Sequence, residues 1–581
     1  MPQGRVGDTG DARYSVQGMF VPYEHMVVRL CETEVVPRLI PPSDQNDPGA
    51  FLHPPDEKRK GVVFMFVKVL LLVIFFAITV GVGLYFRQRN TDVNSFVLGG
   101  RSVGPWLTAF AYGTSYFSAV VFVGYAGQFG WKFGISSVWI GLGNAFIGSL
   151  LAWVVLGRRT RLMTRHLASS TMPEFFGARF ASKGLKIGAS IITFIFLVPY
   201  TASLYNGLSR LFAMAFNVDF TICIIVMAVL TCVYVIAGGY IATAANDFIQ
   251  GIIMLGGIVA VVAAVLRVNG GFTASLDALA RVSDPAISTT PGVFASFFGP
   301  EPVSLLGVVL LTSIGTWGLP QMVQKFYAIK SENSINKGMV ISTVFAVIVS
   351  GGCYFLGSFG HLFADKVDVA TEGFDAIIPA MMSGFSPLLI GIVVMLVLSA
   401  SMSTLSALVM TSASTFTLDF LKDNVVKKMD EKAQLLSIRT MIAFFVAVSA
   451  IIAIIQYKMN FTFIAQLMGV SWGALAGAFL APFLYGLYWK RATKAAVWSS
   501  FAFGTLFMTA NILFRSHFPN LLQSPINAGA FAMLAGLIIV PLVSIFTKAP
   551  EKEFVEHAFS CYDIKVSVAM RESLGAEVNS D

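Results

Sequence analysis

The sequence predicts an all-α protein that crosses a membrane about thirteen times. Its composition supports this fold class, because 56% of the 581 residues are hydrophobic and only 12% are charged. Apolar runs of roughly 20 residues, the length that spans a bilayer, also recur from Val62 to Thr547. The runs are continuously apolar and do not alternate with polar residues, which argues against a transmembrane β-barrel.

The expected spans follow one another with short connections. They lie near residues 62–86, 105–129, 136–157, 186–208, 220–237, 247–266, 303–324, 338–360, 387–418, 437–457, 462–488, 495–514 and 527–547. They predict a transmembrane domain over 61–547, between an N-terminal extension, 1–60, and a C-terminal tail, 548–581.

Both terminal segments differ in composition from the spans. Residues 1–60 contain prolines, lack periodicity and predict a disordered extension. An alternative is that translation starts at Met65, because Lys60, Gly61 and Val62 can be encoded by a purine-rich stretch that resembles a ribosome-binding site. The tail after Thr547 is polar and predicts a cytoplasmic extension.

The formal net charge of +8 is explained by the loops without a nucleic-acid partner. Basic residues concentrate in alternate loops, as the positive-inside rule requires, so we expect the N-terminus outside and the C-terminus in the cytoplasm of a cell-membrane protein. The base-rich loops contain Arg87, Arg89, Arg101, Arg158, Arg159, Arg161, Arg165, Arg179, Lys325, Lys330, Lys337, Lys422, Lys427, Lys428, Arg439, Lys490, Arg491 and Lys494.

Two spans contain residues that interrupt a helix. The second holds Gly113–Ala119, and the seventh holds Ser313–Gln321, which includes Gly318 and Pro320. Irregular backbone at membrane depth is tolerated where it is buried or lines a cavity, and paired broken helices indicate the binding site of a transporter. Spans two to six and seven to eleven then form two inverted halves, about 105–266 and 302–488, each opening with a broken helix.

Ala400, Ser403 and Thr404 share one face of the ninth span, because their spacing is i, i+3, i+4. Two hydroxyl oxygens and a nearby carbonyl are hard ligands that suit a small alkali cation. The alternative is that the hydroxyls bond to their own helix backbone or pack against a neighbouring helix. No Walker motif, GxGxxG fingerprint or HExxH is present, so ATP-driven transport and metallo-hydrolysis have no support.

Four segments in order resemble the sodium/solute symporter family: 96–104, 234–242, 400–406 and 486–491. The resemblance implies a LeuT-type inverted-repeat fold and a symporter, not an enzyme, with sodium as coupling ion and no organic cofactor. It assigns the sodium ligands to the carbonyls of Thr114, Phe117 and Ala400 and the hydroxyls of Ser403 and Thr404.

Asp247 stands where the family often carries an acidic residue near the cytoplasmic sodium exit. The alternative for Asp247 is an interfacial helix cap.

The solute is less well defined by the sequence. Segments 98–102, 173–176, 319–322 and 402–405 are most similar to the sodium–proline branch, but Tyr116 stands where that branch carries Asp. Thr312 and Thr316 replace its aromatic residues, and Val121 replaces a Gln of the sugar branch. The expected solute site comprises Ser115, Tyr116, Ser118, Thr316, Trp317 and Gln321.

We therefore expect sodium-coupled import of an amino acid or another small carboxylate. The alternatives are a pantothenate, monocarboxylate or sugar symporter, a proton-coupled carrier and, less favoured, a passive channel. The expected partners are the solute, sodium and the lipid bilayer, and the oligomeric state is left open.

Overall fold

The computed structural model describes residues 56–87, 92–216, 218–426, 428–459 and 464–563. Within these ranges the chain forms helices and two isolated β-bridges, with no β-strand, as the composition predicts. The predicted disordered extension lies outside the described residues as far as residue 55, but its last five residues already belong to the first helix.

The described residues as far as Ala328 contain twelve α-helices. They are α1 Asp56–Phe86, α2 Val93–Leu98, α3 Pro105–Tyr116, α4 Ala126–Phe133, α5 Val138–Gly143, α6 Arg158–His166, α7 Met172–Arg179, α8 Lys183–Phe216, α9 Phe220–Val268, α10 Phe272–Ala280, α11 Pro302–Ser313 and α12 Pro320–Ala328. Short π- and 3₁₀-helices connect some of them: Gly99–Arg101, Val120–Tyr125, Gly134–Ser137, Asn144–Leu151, Trp153–Gly157, Val293–Ala295 and Ile314–Gly318.

Beyond Ala328, the part of the chain that the structure describes contains ten α-helices. They are α13 Glu332–Gly357, α14 Val369–Glu372, α15 Ile377–Met382, α16 Pro387–Thr415, α17 Lys422–Asn424, α18 Glu431–Met459, α19 Ile464–Tyr488, α20 Lys494–Leu513, α21 Pro525–Phe546 and α22 Lys552–Phe559. The short helices here are Gly360–Lys366, Phe374–Ala376, Phe416–Leu421, Arg515–His517, Asn520–Gln523 and Ser560–Tyr562.

Ten helical segments of the described residues are long and apolar enough to cross a membrane, and an eleventh is added if the bent pair Pro302–Gly318 and Pro320–Ala328 counts as one span. Two of the ten, Val120–His166 and Phe220–Val268, contain 47 and 49 residues, about twice what one crossing needs. Each turns at a glycine with positive φ, Gly134 or Gly239. If each of these two segments counts as two crossings and the bent pair counts as one, the described residues contain thirteen crossings, the number predicted from the sequence.

The boundary between the fifth and sixth spans differs from the prediction. The sequence predicts spans over 220–237 and 247–266, and in the structure α9, Phe220–Val268, consists of two helical parts joined directly by a kink at Gly239. Gly239 has φ 58° and ψ −162°, a backbone conformation that side chains with a Cβ rarely adopt. A bend at one glycine therefore joins the two parts, and Asp247 lies inside a helix and does not cap one.

Helix α16 lies at the centre of the molecule. Every residue from Leu396 to Thr415 is buried, and α3, α8, α9 and α18 pack around the helix. Because the helix is buried on all sides over this length, its serines and threonines face other protein groups and not lipid.

Part of the predicted polar tail packs onto the protein. Val555, Phe559 and Cys561 are buried, the guanidinium of Arg179 lies 4.9 Å from the Phe559 ring, and the Tyr562 hydroxyl donates to the Arg159 carbonyl at 3.3 Å. The amphipathic helix α22 and the 3₁₀-helix Ser560–Tyr562 supply these contacts, so the described part of the tail buries one of its faces.

Candidate functional site

The second span is broken immediately after α3. Phe117 has φ −104° and ψ 92°, which is extended backbone, and the helix resumes at Ala119 and continues as the π-helix Val120–Tyr125. The Ser118 hydroxyl accepts a hydrogen bond from the Val120 amide at 3.2 Å and so begins the new helix. The last carbonyls of α3 consequently have no partner further along their own helix.

Those freed carbonyls face the polar side of α16. The hydroxyls of Ser403 and Thr404 each lie 3.2 Å from the Thr114 carbonyl oxygen. The same hydroxyls lie 3.2 and 3.0 Å from the Ala400 carbonyl oxygen. We call these four oxygens the four-oxygen cluster: the carbonyls of Thr114 and Ala400, Oγ of Ser403 and Oγ1 of Thr404.

The four-oxygen cluster is buried and carries no formal charge. Each of its four residues is at most 1% exposed. Oxygens from two different helices that converge at such short distances form the kind of hard-ligand set that suits an alkali cation, and the absence of a carboxylate from the set keeps binding reversible. The spacing of Ala400, Ser403 and Thr404 predicts this face, and the structure brings all three together with Thr114.

Phe117 is the predicted ligand whose carbonyl stays a prediction from the family resemblance. Among the hydrogen bonds of the described residues, none joins Phe117 to the four-oxygen cluster. The Ser115 carbonyl approaches it instead, at 3.5 Å from Thr404 Oγ1. The reason is that α3 continues as a regular helix through Tyr116, which turns the Ser115 carbonyl toward α16 before the backbone becomes extended.

The seventh span is broken as well. The 3₁₀-helix Ile314–Gly318 follows α11, Leu319 is extended, and α12 begins at Pro320, where a proline is well accommodated because the first amide has no helical partner. The two parts meet at an angle of 49°. Both breaks therefore occur in the segments that the sequence predicts.

A buried tyrosine connects the two broken helices. The Tyr116 hydroxyl donates to the Thr312 carbonyl at the end of α11. Its ring stacks on Phe117, with centroids 4.3 Å apart, and lies 6.1 Å from the Trp472 ring of α19. Tyr116 thus lies where both halves of the molecule and α19 meet.

The other predicted solute residues divide into two groups. Ser118 and Thr316 use their hydroxyls within their own segments, and the Trp317 indole donates to the Ile147 carbonyl at 3.2 Å. Ser115 Oγ and Gln321 Oε1 are buried and make no hydrogen bond with any described residue. Buried polar atoms are normally paired, so these two are the groups best able to contact a solute.

Sequence reasoning missed several polar groups in this region. The Trp472 indole nitrogen is buried without a partner among the described residues, and Asn144 lies beside Ser313 and Ser350, at 3.2 Å from each hydroxyl. The Tyr112 hydroxyl donates to the Gly148 carbonyl at 2.7 Å. A polar or aromatic residue inside an otherwise apolar span is the signal that could have identified them.

Asp247 has a charged partner that the sequence places elsewhere. Lys325, which the sequence assigns to a loop, is 2% exposed inside α12, and its Nζ lies 4.0 Å from Asp247 Oδ2. Neither oxygen of Asp247 accepts a hydrogen bond from a described residue. The loop assignment is wrong because α12 extends through Ala328 and carries Lys325 against α9.

Comparison with known proteins relates the whole site to one class of transporter. The model of the sodium:solute symporter family matches residues 96–504. The osmoregulated proline transporter OpuE of Bacillus subtilis is 28% identical over 488 residues, which are 83% of this chain and 96% of the relative. The sodium/proline symporter of Staphylococcus aureus is 28% identical over 498 residues, with coverages of 83% and 93%.

Among solved structures, a sodium-coupled sialic acid symporter in a substrate-bound, outward-open state is similar with a TM-score of 0.68. The identity is 16%, and the similarity covers 84% of this chain and 98% of that one. It shows the same fold and confirms the predicted LeuT-type architecture.

Proposed function

Because the chain belongs to the sodium:solute symporter family, we propose that it imports a small, carboxylate-bearing solute of the proline class together with sodium. Membership makes the protein a sodium-coupled transporter of the membrane and not an enzyme, as the sequence motifs predict. The solute, the ion ligands and the orientation are the parts that we propose.

The observation that carries the proposal is the four-oxygen cluster. It joins α3, at the break of the first repeat, to α16 in the second repeat, so an ion held there stabilises one arrangement of the two repeats. We assign sodium binding to Thr114, Ala400, Ser403 and Thr404, with the Ser115 carbonyl as the nearest fifth oxygen. The Phe117 carbonyl stays the prediction from the family resemblance.

The solute site lies next to the ion site along α3. Ser115 Oγ and Gln321 Oε1 offer unpaired polar atoms, and the helices that begin after the two breaks present their positive ends to a carboxylate. Tyr116 and Trp472 supply apolar walls for a small ring. The names of two relatives, a proline transporter and a sodium/proline symporter, favour proline as the first solute to test.

The orientation follows from the charges. Thirteen spans place the termini on opposite sides, and the positive-inside rule assigns the base-rich loops and the C-terminal tail to the cytoplasm. Inward movement of one sodium ion then supplies roughly 2.3 kcal/mol per 100 mV of membrane potential, which can drive solute accumulation.

The test is uptake of radiolabelled proline, other amino acids, short carboxylates, pantothenate and sugars into proteoliposomes. Each solute is measured with an inward sodium gradient, an equal potassium gradient and a proton gradient. We expect proline to accumulate under the sodium gradient and not under the potassium or proton gradient. Equal uptake with sodium and potassium would contradict an ion site at Ser403 and Thr404, and uptake with protons alone would make the protein a proton-coupled carrier.

A further inference from the structure

A cavity of about 250 Å³ opens on the side of the molecule that carries the base-rich loops. Four of its lining residues are basic: Arg101, Arg161, Arg165 and Lys330. Gly100, Tyr327 and Ile329 complete the lining, so among the described residues around it no acidic side chain lines this cavity. We call it the basic pocket.

Two carboxylates, Glu174 and Glu332, act electrostatically on Arg101 and Arg161 but lie outside the lining of the basic pocket and have closer partners. Glu174 accepts from the Ser170 amide at 2.8 Å and lies 3.8 Å from Lys186 Nζ. Glu332 is 2.6 Å from Arg158 Nε. The positive charges of the basic pocket are therefore not balanced by a carboxylate in its own wall, and their mutual repulsion favours binding of an anion.

Two arginines are held in place by backbone carbonyls. Arg101 donates to the carbonyl of Ser169 at 2.5 Å, and Arg161 donates to the carbonyls of Ile329 and Lys330 at 3.0 and 2.6 Å. Burial lowers the pKa of Arg101 most, and the charges of Arg161 and Arg165 lower it further, whereas Tyr327 and Glu174 raise it. Guanidinium groups that are already held in place lose little entropy when their remaining N–H groups bind an oxyanion.

A buried hydroxyl in the wall of the basic pocket is unsatisfied. Tyr327 is 1% exposed, and its hydroxyl makes no hydrogen bond with any described residue. A buried hydroxyl without a partner is costly, and one that lines a basic cavity can donate to an anion inside it.

The backbone at the edge of the pocket is strained. Gly99, Gly100 and Arg101 have φ values of 60°, 64° and 54°, so Arg101 adopts a left-handed conformation that is unfavourable for a residue with a Cβ. Strain of this kind persists where the surrounding structure enforces it, and it is concentrated at ligand sites.

We propose that the basic pocket binds a phosphate-class anion. Arg165 and Lys330 are exposed at its rim, and its volume is slightly below that of pockets for drug-sized ligands, which suits one phosphate group with a small substituent. A free phosphate compound and the headgroup of an anionic phospholipid share this chemistry.

The basic pocket lies between the segment that precedes α3 and the end of α12, so a bound anion contacts both. Gly100 and Arg101 precede α3, whereas Tyr327, Ile329 and Lys330 lie at the end of α12, so both broken spans contribute to one wall. Two hydrogen bonds join these segments, from the Val103 amide to the Ala328 carbonyl at 3.2 Å and from the Lys330 amide to the Val103 carbonyl at 2.9 Å. A bound anion holds the segments together and slows their separation during transport, an effect that rests on the proposed function.

The test uses the full-length protein in phosphatidylcholine nanodiscs with inorganic phosphate as the probe. Calorimetric titration measures phosphate binding. A second arm, free of phosphate, measures by native mass spectrometry whether phosphatidylglycerol is retained over phosphatidylcholine. The variants are Arg165→Gln, which removes an exposed charge of the rim, and Tyr327→Phe, which removes only a hydroxyl. Arg158→Gln is the control, since Arg158 shares α6 with Arg165 but pairs with Glu332.

We expect the wild-type protein and Arg158→Gln to bind equally, and the two pocket variants to bind about tenfold more weakly, since each loses one charge-assisted contact. Phosphate binding identifies a free anion as the ligand, and selective retention of phosphatidylglycerol alone identifies a lipid headgroup. The proposal is overturned if neither probe binds, or if both pocket variants bind like the wild type. These readouts need no transport, so failure of proline uptake leaves them unaffected.

Discussion

The four-oxygen cluster is built from neutral groups, whereas the contact between Asp247 and Lys325 joins two full charges. Both are buried, and both link an element of the first repeat to one of the second: α3 to α16, and α9 to α12. In the neutral cluster no charge is left unbalanced when an ion leaves. In the charged pair, removal of one partner leaves an uncompensated charge in a medium of low dielectric constant.

The difference bears on how sodium can use Asp247. A sodium ion at Asp247 has to compete with the ammonium group of Lys325, which lies 4.0 Å away. At the four-oxygen cluster an ion would compete only with hydrogen bonds between neutral groups, which include the bond from the Ser403 hydroxyl to the Ser399 carbonyl at 2.9 Å. We therefore propose that stable ion binding occurs at the cluster and that an ion passes Asp247 only while the pair is separated.

The largest expected effect comes from breaking the charged pair. Lys325→Met leaves Asp247 buried without its counter-ion, and we expect the folded protein to lose about 3–5 kcal/mol of stability. The loss is measured as a lower melting temperature, which is determined by size-exclusion chromatography of detergent samples after heating. The double variant Lys325→Met with Asp247→Asn removes both charges and should recover most of the stability. A single variant as stable as the wild type would show that the charges do not interact.

A smaller effect is expected from the neutral cluster. Ser403→Ala or Thr404→Val removes one ion ligand, and we expect about a tenfold higher sodium concentration for half-maximal uptake, with little change in stability. Sodium titration of solute uptake in proteoliposomes checks this. Ser414→Ala is the matched control, because this buried hydroxyl lies on the same helix and bonds only to the Thr411 carbonyl. Unchanged sodium dependence in both variants would refute the ion site.

The smallest expected effect tests whether Tyr116, a neighbour of the cluster on α3, belongs to the solute site or to the ion site. Tyr116→Phe removes the hydrogen bond to the Thr312 carbonyl and keeps the ring, and we expect a two- to tenfold change in the solute concentration for half-maximal uptake, from roughly 0.5–1.5 kcal/mol. Kinetics at saturating sodium measure it, and a sodium titration is the companion experiment. If sodium affinity changes more than solute affinity, Tyr116 belongs to the ion site.

The sequence predicts the neutral cluster better than the charged pair, and the reason is local spacing. Ala400, Ser403 and Thr404 are neighbours on one helix, so their shared face follows from helix geometry alone. Lys325 and Asp247 are 78 positions apart in sequence, and hydropathy assigns an isolated lysine to a loop. Its burial depends on a carboxylate from another part of the chain, because the Lys325 side chain reaches to within 4.0 Å of Asp247 on α9.

The position of the break in α3 shows a second limit of the sequence. Gly113 lies within the regular helix, and the break follows at Phe117. The glycine is needed for packing, since a Cβ there would lie 2.5 Å from a ring carbon of Phe345. Glycine serves both for close packing and for helix interruption, so its presence does not show which of the two applies. The sequence therefore indicates the segment but does not determine which carbonyl faces α16.

The docking of helix α22 goes together with the burial of a cysteine, Cys561, in the C-terminal segment. Cys561 is 3% exposed beside Phe559, and burial raises the pKa of its thiol to about 11, so little thiolate is present at neutral pH. A maleimide added to the folded protein should therefore modify this position slowly while α22 is docked and rapidly once it detaches. The labelling rate of Cys561 therefore reports how often α22 detaches. Comparing this rate with and without sodium, solute or phosphate would show whether transport loosens the C-terminal segment.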